Sequence, residues 1–321
     1  MKKLLAAILV VITSAAYIGY FGLVKTAQAE KPCDFLNKHE NYDYMFQFKI
    51  AASRASKQKD GLEKLRIFTD AVARCQKAAQ QGDADAQNSL GYMYALGRGG
   101  ITKDEAQAAA WYRKAADQGF APAQSNLASV YISGRGVTQD KVQGIAWYRK
   151  AADQGDIDAQ RAFGFMYANG TGGLPQDKAQ AIAWYRKAAE QGDTRAQHAL
   201  ARIYDKGDGV SQDKAQAVAW IRKAAEQGDA YAQYRLGERY HKGEGVAQDY
   251  AQAIAWYRKA ANRHEPSAHY RLGEMYEKGE GVAQNKARAA RWYCGTIGQG
   301  GAPYEAKAKV ALERLGKLNC W

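Results

Sequence analysis

The residues that come nearest to a reactive centre run from His264 to His269, as His-Glu-Pro-Ser-Ala-His. Two histidines around a glutamate are the ligands and base of a helical zinc site. That site needs the imidazoles four residues apart, so that both lie on one helix face. Here five residues separate them and Pro266 lies between, so the rings diverge. Pairs such as Gly207-Asp208-Gly209 resemble pieces of a phosphate-binding loop. They lack the later glycine or the Gly-Lys-Ser/Thr that such loops need, and each follows a helical pattern instead of a strand. No serine or cysteine sits in a strand-to-helix nucleophile elbow, and the five histidines are scattered. These residues predict no enzyme, no metal and no cofactor. The alternative is a hydrolase with a cryptic groove site, whose turnover would be lost on changing one groove residue.

The elements that position these residues explain them. Trp111, Trp147, Trp184, Trp220, Trp256 and Trp292 recur at steps of 36 or 37 residues. A fixed period of this size marks a repeat architecture. Six copies run 83–119, 120–155, 156–192, 193–228, 229–264 and 265–300, and each reads as two short helices joined by a tight turn. In the first helix Ala86, Leu90 and Tyr94, and their counterparts in every copy, are spaced by four and predict a buried stripe. A glycine turn follows, as at Gly97 and Gly134. The second helix opens on Asp-x-x-Gln, an N-cap with a reciprocal partner, as at Asp140 and Gln143. It ends at Gly82, Gly155, Gly192 or Gly228, and the Asp after each can cap the next helix. No copy can bury its apolar face alone, so the copies must stack.

Ala232-Gln233, Leu236-Gly237, Tyr240, Gly243, Gly245-Val246, Asp249, Ala253, Trp256-Tyr257 and Lys259-Ala260-Ala261 resemble the Sel-1-like repeat family, relatives of tetratricopeptide repeats. The resemblance covers about two thirds of the chain. It implies an all-α fold, a right-handed superhelical solenoid of helix-turn-helix repeats used for binding other proteins. It implies no particular partner.

At the N-terminus, Lys2 and Lys3 precede an uncharged run from Leu4 to Val24, followed by Ala27-Gln28-Ala29. This reads as a bacterial signal peptide, residues 1–29, cut after Ala29. The alternative is an inner-membrane anchor over residues 4–24, which is long enough to span a bilayer. Export predicts a periplasmic or secreted protein. Four cysteines in such a chain suggest disulfides. Two precede the repeats and two lie at the far end. Pairing across the array would require its ends to meet, so the expected bonds are Cys33–Cys75 and Cys294–Cys320. Each would staple a terminal cap: residues 30–82, as two or three helices, and residues 301–321, with a helix from about Tyr304 to Leu315. Five prolines in 321 residues argue for one continuous body, expected as a monomer.

The net charge is +13. Arg113-Lys114, Arg149-Lys150, Arg186-Lys187, Arg222-Lys223 and Arg258-Lys259 supply much of it from one repeated site near the end of each second helix. The excess therefore belongs to the scaffold, as a stripe on its outer face. No nucleic-acid partner is expected, because no stacking aromatics or known module accompany the charge. Weak contact with an anionic membrane surface or envelope polymer is a further expectation.

Function should lie where copies differ while facing away from the core. Positions 6, 10 and 13 of each copy lie opposite the Ala-Leu-Tyr stripe. In the related arrays this helix lines the concave face. The candidate partner-binding residues are Tyr92, Arg161, Phe165, His198, Arg202, Tyr234, Glu238, His241, Tyr270 and Glu274. Exposed aromatics and arginines of this kind make interface hot spots. The expected partner is a segment of another envelope or secreted protein, anchored near Tyr234 and Tyr270.

Overall fold

The computed structural model describes Cys33, residues 59–298, residues 302–316 and Cys320. The expected signal peptide, the alternative anchor over 4–24 and most of the 30–58 stretch lie outside the described residues. The described residues form helices and no strand. Two compact units divide the chain, residues 1–159 and 160–321.

The first unit holds α1 (Lys59–Gln80), α2 (Ala84–Leu96), α3 (Glu105–Asp117), α4 (Ala121–Ser133) and α5 (Lys141–Asp153). The division falls within α6 (Ile157–Asn169). The second unit continues with α7 (Lys178–Glu190), α8 (Thr194–Lys206), α9 (Lys214–Glu226), α10 (Ala230–Lys242) and α11 (Tyr250–Ala261). It ends with α12 (Pro266–Lys278), α13 (Lys286–Thr296) and α14 (Ala302–Arg314). The fold class is all-α, a solenoid of helix-turn-helix repeats. No helix among the described residues is long and apolar enough to cross a membrane.

Local chemistry sets these boundaries. The carboxylates of Asp140, Asp177, Asp213 and Asp249 each accept the backbone N–H three residues on. Asp83, Asp156, Asp193 and Asp229 do the same for the first helices. Each cap satisfies a donor that the helix start would leave orphaned. The first helices end at glycines in the left-handed region, with φ between 64° at Gly97 and 79° at Gly279. At the close of α11 the corresponding second-helix glycine is replaced by His264, which adopts φ 62°.

The buried face differs from the expected stripe in one respect. Ala and Leu at the fourth and eighth positions are buried throughout, but Tyr94, Tyr204 and Tyr240 are only partly covered. Their side chains reach the rim, where Tyr204 and Tyr240 accept hydrogen bonds of 2.8 Å from Arg186 and Arg222. The deeper residue lies one position earlier: Met93, Val130, Met166, Ile203 and Met275. In the fifth copy that position is Arg239, only 5 % exposed. Its guanidinium is held by Asp205 of the preceding copy and by Glu244 at 3.1 Å.

The basic pairs are scaffold contacts. The ammonium groups of Lys114, Lys150, Lys187, Lys223 and Lys259 lie 3.9–4.2 Å from the ring centroids of Trp111, Trp147, Trp184, Trp220 and Trp256. Of the arginines beside them, Arg186, Arg222 and Arg258 each donate at 2.8 Å to a tyrosine of the next copy, Tyr204, Tyr240 and Tyr276.

A ladder of buried amides runs beneath each unit's surface. Gln87 and Gln124 donate to the carbonyls of Ala79 and Ala116, at the end of the preceding second helix. Their side-chain oxygens accept from Gln118 and Gln154, at the end of their own copy's second helix. In the second unit Gln197 and Gln233 donate to Ala189 and Ala225, and Gln227 donates to Gln197. The next rung is missing: Arg263 stands where that glutamine belongs, and Gln233 Oε1 is buried without a partner.

Cys33 is bonded to Cys75 in α1, and Cys294 in α13 to Cys320, the two pairings expected. The last helix, α14, packs on α12 and α13.

Candidate partner-binding face

A small-residue position builds the face. At Gly91, Gly164, Gly237 and Gly273 an added Cβ would lie 2.5–2.7 Å from a ring atom of Tyr112, Tyr185, Tyr257 and Tyr293 respectively. These four rings therefore pack directly against the first helix of their own copy. These tyrosines, each following the repeat Trp, were not among the candidate residues. The sequence shows the pairing only in part: the copy with Ile221 in place of this Tyr carries Ala201 in place of this Gly, but the second copy keeps Tyr148 with Ala128.

In the first unit, Tyr92 is half-buried with the Arg98 guanidinium 5.8 Å from its ring. The other candidates belong to the second unit and separate into three groups.

The first group is closed. Tyr234, expected as an exposed anchor, is 4 % exposed. Its ring packs 5.9 Å from Tyr257 on one side and 6.4 Å from Tyr304 of α14 on the other. Its hydroxyl meets that of Tyr304 at 3.0 Å. Burial and the Tyr304 bond push its ionisation far above the usual tyrosine range. Tyr270 lies 5.6 Å from the same Tyr304 ring and donates to Glu274. Glu274 and Glu238 are both held by Arg271, at 2.8 and 3.2 Å. Beneath them the hydroxyl of Tyr257, a residue 0 % exposed, has no hydrogen-bond partner among the described residues. Tyr293 donates to Glu277 at 2.6 Å, and Arg314 of α14 binds the same carboxylate through two bonds of 2.8 and 2.9 Å. The C-terminal helix thus covers the end of the face where partner anchoring was expected.

The second group consists of histidines tied between copies. His198 Nε2 lies 3.2 Å from Asp229, the cap of α10, and its ring is 5.7 Å from that of Tyr231. His241 Nε2 lies 2.9 Å from Glu280 and packs edge-on against Tyr250. The false zinc pair is also dispersed: His264 is exposed, whereas His269 is buried beside Trp292 and bonds the Glu265 carbonyl.

The third group is open. Phe165 on α6 is 56 % exposed, Arg202 on α8 is exposed, and Arg161 bonds Asp193 at 3.2 Å. Burial raises the pKa of the Tyr185 hydroxyl, and the positive charges of Arg202 and Arg161 oppose that rise. Both guanidiniums therefore act on the same hydroxyl, next to an exposed ring.

Comparison with known proteins places this architecture. A family model for the Sel1 repeat matches residues 84–120, 121–156, 157–193, 194–229, 230–264 and 266–294. A crystal structure of c5321, described as a protective antigen present in uropathogenic Escherichia coli strains and displaying an SLR fold, is 33 % identical with a TM-score of 0.68. The match covers 85 % of this chain and 61 % of that one, so this chain spans under two thirds of that protein's length. A Sel1 repeat protein from Oxalobacter formigenes is 37 % identical with a TM-score of 0.61, over 76 % of this chain and 94 % of that one. No sequence among curated proteins matches. Six consecutive matched repeats, on helices that pack as the repeat requires, make this chain a member of the Sel1 repeat family.

Proposed function

We propose that this chain is an exported, non-catalytic scaffold of the bacterial cell envelope. It holds a segment of another envelope or secreted protein against the first helices of its second unit. Sel1 repeat proteins are generally protein-interaction scaffolds. The observation that carries the reading is the open pair Phe165 and Arg202. A large ring left more than half exposed, with an exposed arginine at the same repeat position of the next copy and the other candidates of the face engaged, is the composition of an interface hot spot. The signal-like N-terminus supports export, and two disulfides fit an oxidising compartment. The E. coli relative's description as a protective antigen fits the same setting.

A photo-crosslinking residue placed at position 165 tests this in the native envelope. The expected result is one dominant adduct at 165, lost on Arg202→Ala, and none from position 142, where Val142 is 79 % exposed on a second helix. Equal adducts from both positions would exclude the first-helix face.

A further inference from the structure

The C-terminal helix shows how this face receives an element laid on it. One ring, Tyr304, enters between Tyr234 and Tyr270, and one charge, Arg314, grips a carboxylate of opposite sign, Glu277. At that end Glu238, Glu274 and Glu277 line the face, the first two paired with Arg271 and the third with Arg314. In the third and fourth copies the same scaffold positions carry the other sign. Arg202 stands at the repeat position of Glu238 and Glu274, and Arg161 at that of Tyr234 and Tyr270. Tyr185 lies on Gly164 as Tyr257 lies on Gly237; it is only 5 % exposed, and Arg202 and Arg161 are within electrostatic reach of its hydroxyl. Phe165, one helical turn beyond Arg161, is exposed there, and no element of this chain among the described residues covers it.

We propose that the site formed by Arg161, Phe165, Tyr185 and Arg202 binds an acidic protein segment that carries an aromatic or large apolar side chain beside its carboxylates. This rests on the reading of the first helices as the binding face and gives the partner its chemistry. Arg202 supplies a guanidinium whose planar fork fits a carboxylate through two parallel bonds. Arg161 adds positive charge while retaining Asp193, and the Tyr185 ring forms the floor beneath the two guanidiniums. The partner's apolar side chain covers Phe165 and removes both rings from water. A basic segment is disfavoured here by like charge. The far end does not compete for the carboxylates, because Arg271 and Arg314 there already hold the chain's own glutamates and α14 covers the face.

Fluorescence anisotropy on the full chain with both disulfides formed tests the idea. The probes are three labelled hexapeptides: Asp-Glu-Phe-Asp-Glu-Leu, its amide twin Asn-Gln-Phe-Asn-Gln-Leu, and Asp-Glu-Ala-Asp-Glu-Ala. At low ionic strength the first binds, and the amide and alanine twins each bind about tenfold or more weakly. Arg202→Gln and Phe165→Ala each weaken the first peptide by a similar factor, whereas Lys141→Gln, a surface charge of the first unit, leaves it unchanged. Both substituted residues are exposed, so the variants keep the wild-type circular dichroism. Equal binding of the amide twin, still lost on Phe165→Ala, would overturn the acidic partner but leave the binding face standing. Binding of any peptide that neither substitution alters would overturn both. Failure of the acidic aromatic peptide to bind at millimolar concentration would overturn the proposal.

Discussion

Arg239 occupies a place that methionine, valine or isoleucine fills in the other copies, and it survives there because Asp205 and Glu244 meet it. A buried charge with its partners gains little over a well-packed apolar side chain, but losing one partner leaves a charge stranded. Asp205→Ala is therefore expected to destabilise the chain by about 3–5 kcal/mol, whereas Arg239→Met costs little or stabilises. Urea titrations of the two variants beside wild type check this, and equal losses would contradict it. A second residue makes stability depend on pH. Burial holds the His269 pKa below its ordinary value of 6.5, so the folded chain resists a proton that the unfolded chain accepts. Stability is complete above pH 6.5 and falls as pH drops through that value. His269→Gln, which restores the residue found in the other five copies, is expected to flatten the acid side of a stability profile measured by thermal melting. At this scale the sequence was only partly legible. The Ala-Leu stripe and every Asp cap follow from spacing, but Arg239 lies on the core side of a helix whose other copies are apolar there. Periodicity alone does not reveal a buried pair whose acid comes from a neighbouring copy.

The element that most changed the candidate site is α14. From the sequence, residues 301–321 were a lid over the last repeat, and Tyr234 and Tyr270 were open anchors. The structure puts Tyr304 against both rings. No pattern of spacing in the repeats could place it, because Tyr304 lies in the tail and reaches Tyr234, 70 residues away, through tertiary packing. The Cys294–Cys320 bond closes a loop of 26 residues around this helix. Opening such a loop costs about 3.5 kcal/mol in chain entropy. Cys294→Ser with Cys320→Ser is expected to speed hydrogen exchange in α14 and to leave α8 and α9 unchanged. Equal acceleration in all three would show that the bond supports the whole unit and not its last helix.

At the scale of the molecule, the repeat was read correctly from six tryptophans, and their lysine partners explain where the positive charge sits. The amide ladder was not read, although its glutamines stand in the Ala-Gln and Gln-Gly steps of nearly every copy. Nothing in a glutamine's type distinguishes one at the surface from one that is 2–5 % exposed and bonded at both ends. The missing rung at Gln233 bears on how such a chain can grow. A whole copy duplicated ahead of Asp229 brings a glutamine at each end, and its bonds close on both sides. One placed after His264 would close its rungs too, because its first-helix glutamine reaches back to the Ala261 carbonyl and not to Arg263. The ladder therefore ties length to no one copy: a copy that lacks its second-helix glutamine, as the fifth does, loses one bond of its own and leaves its neighbours' bonds intact.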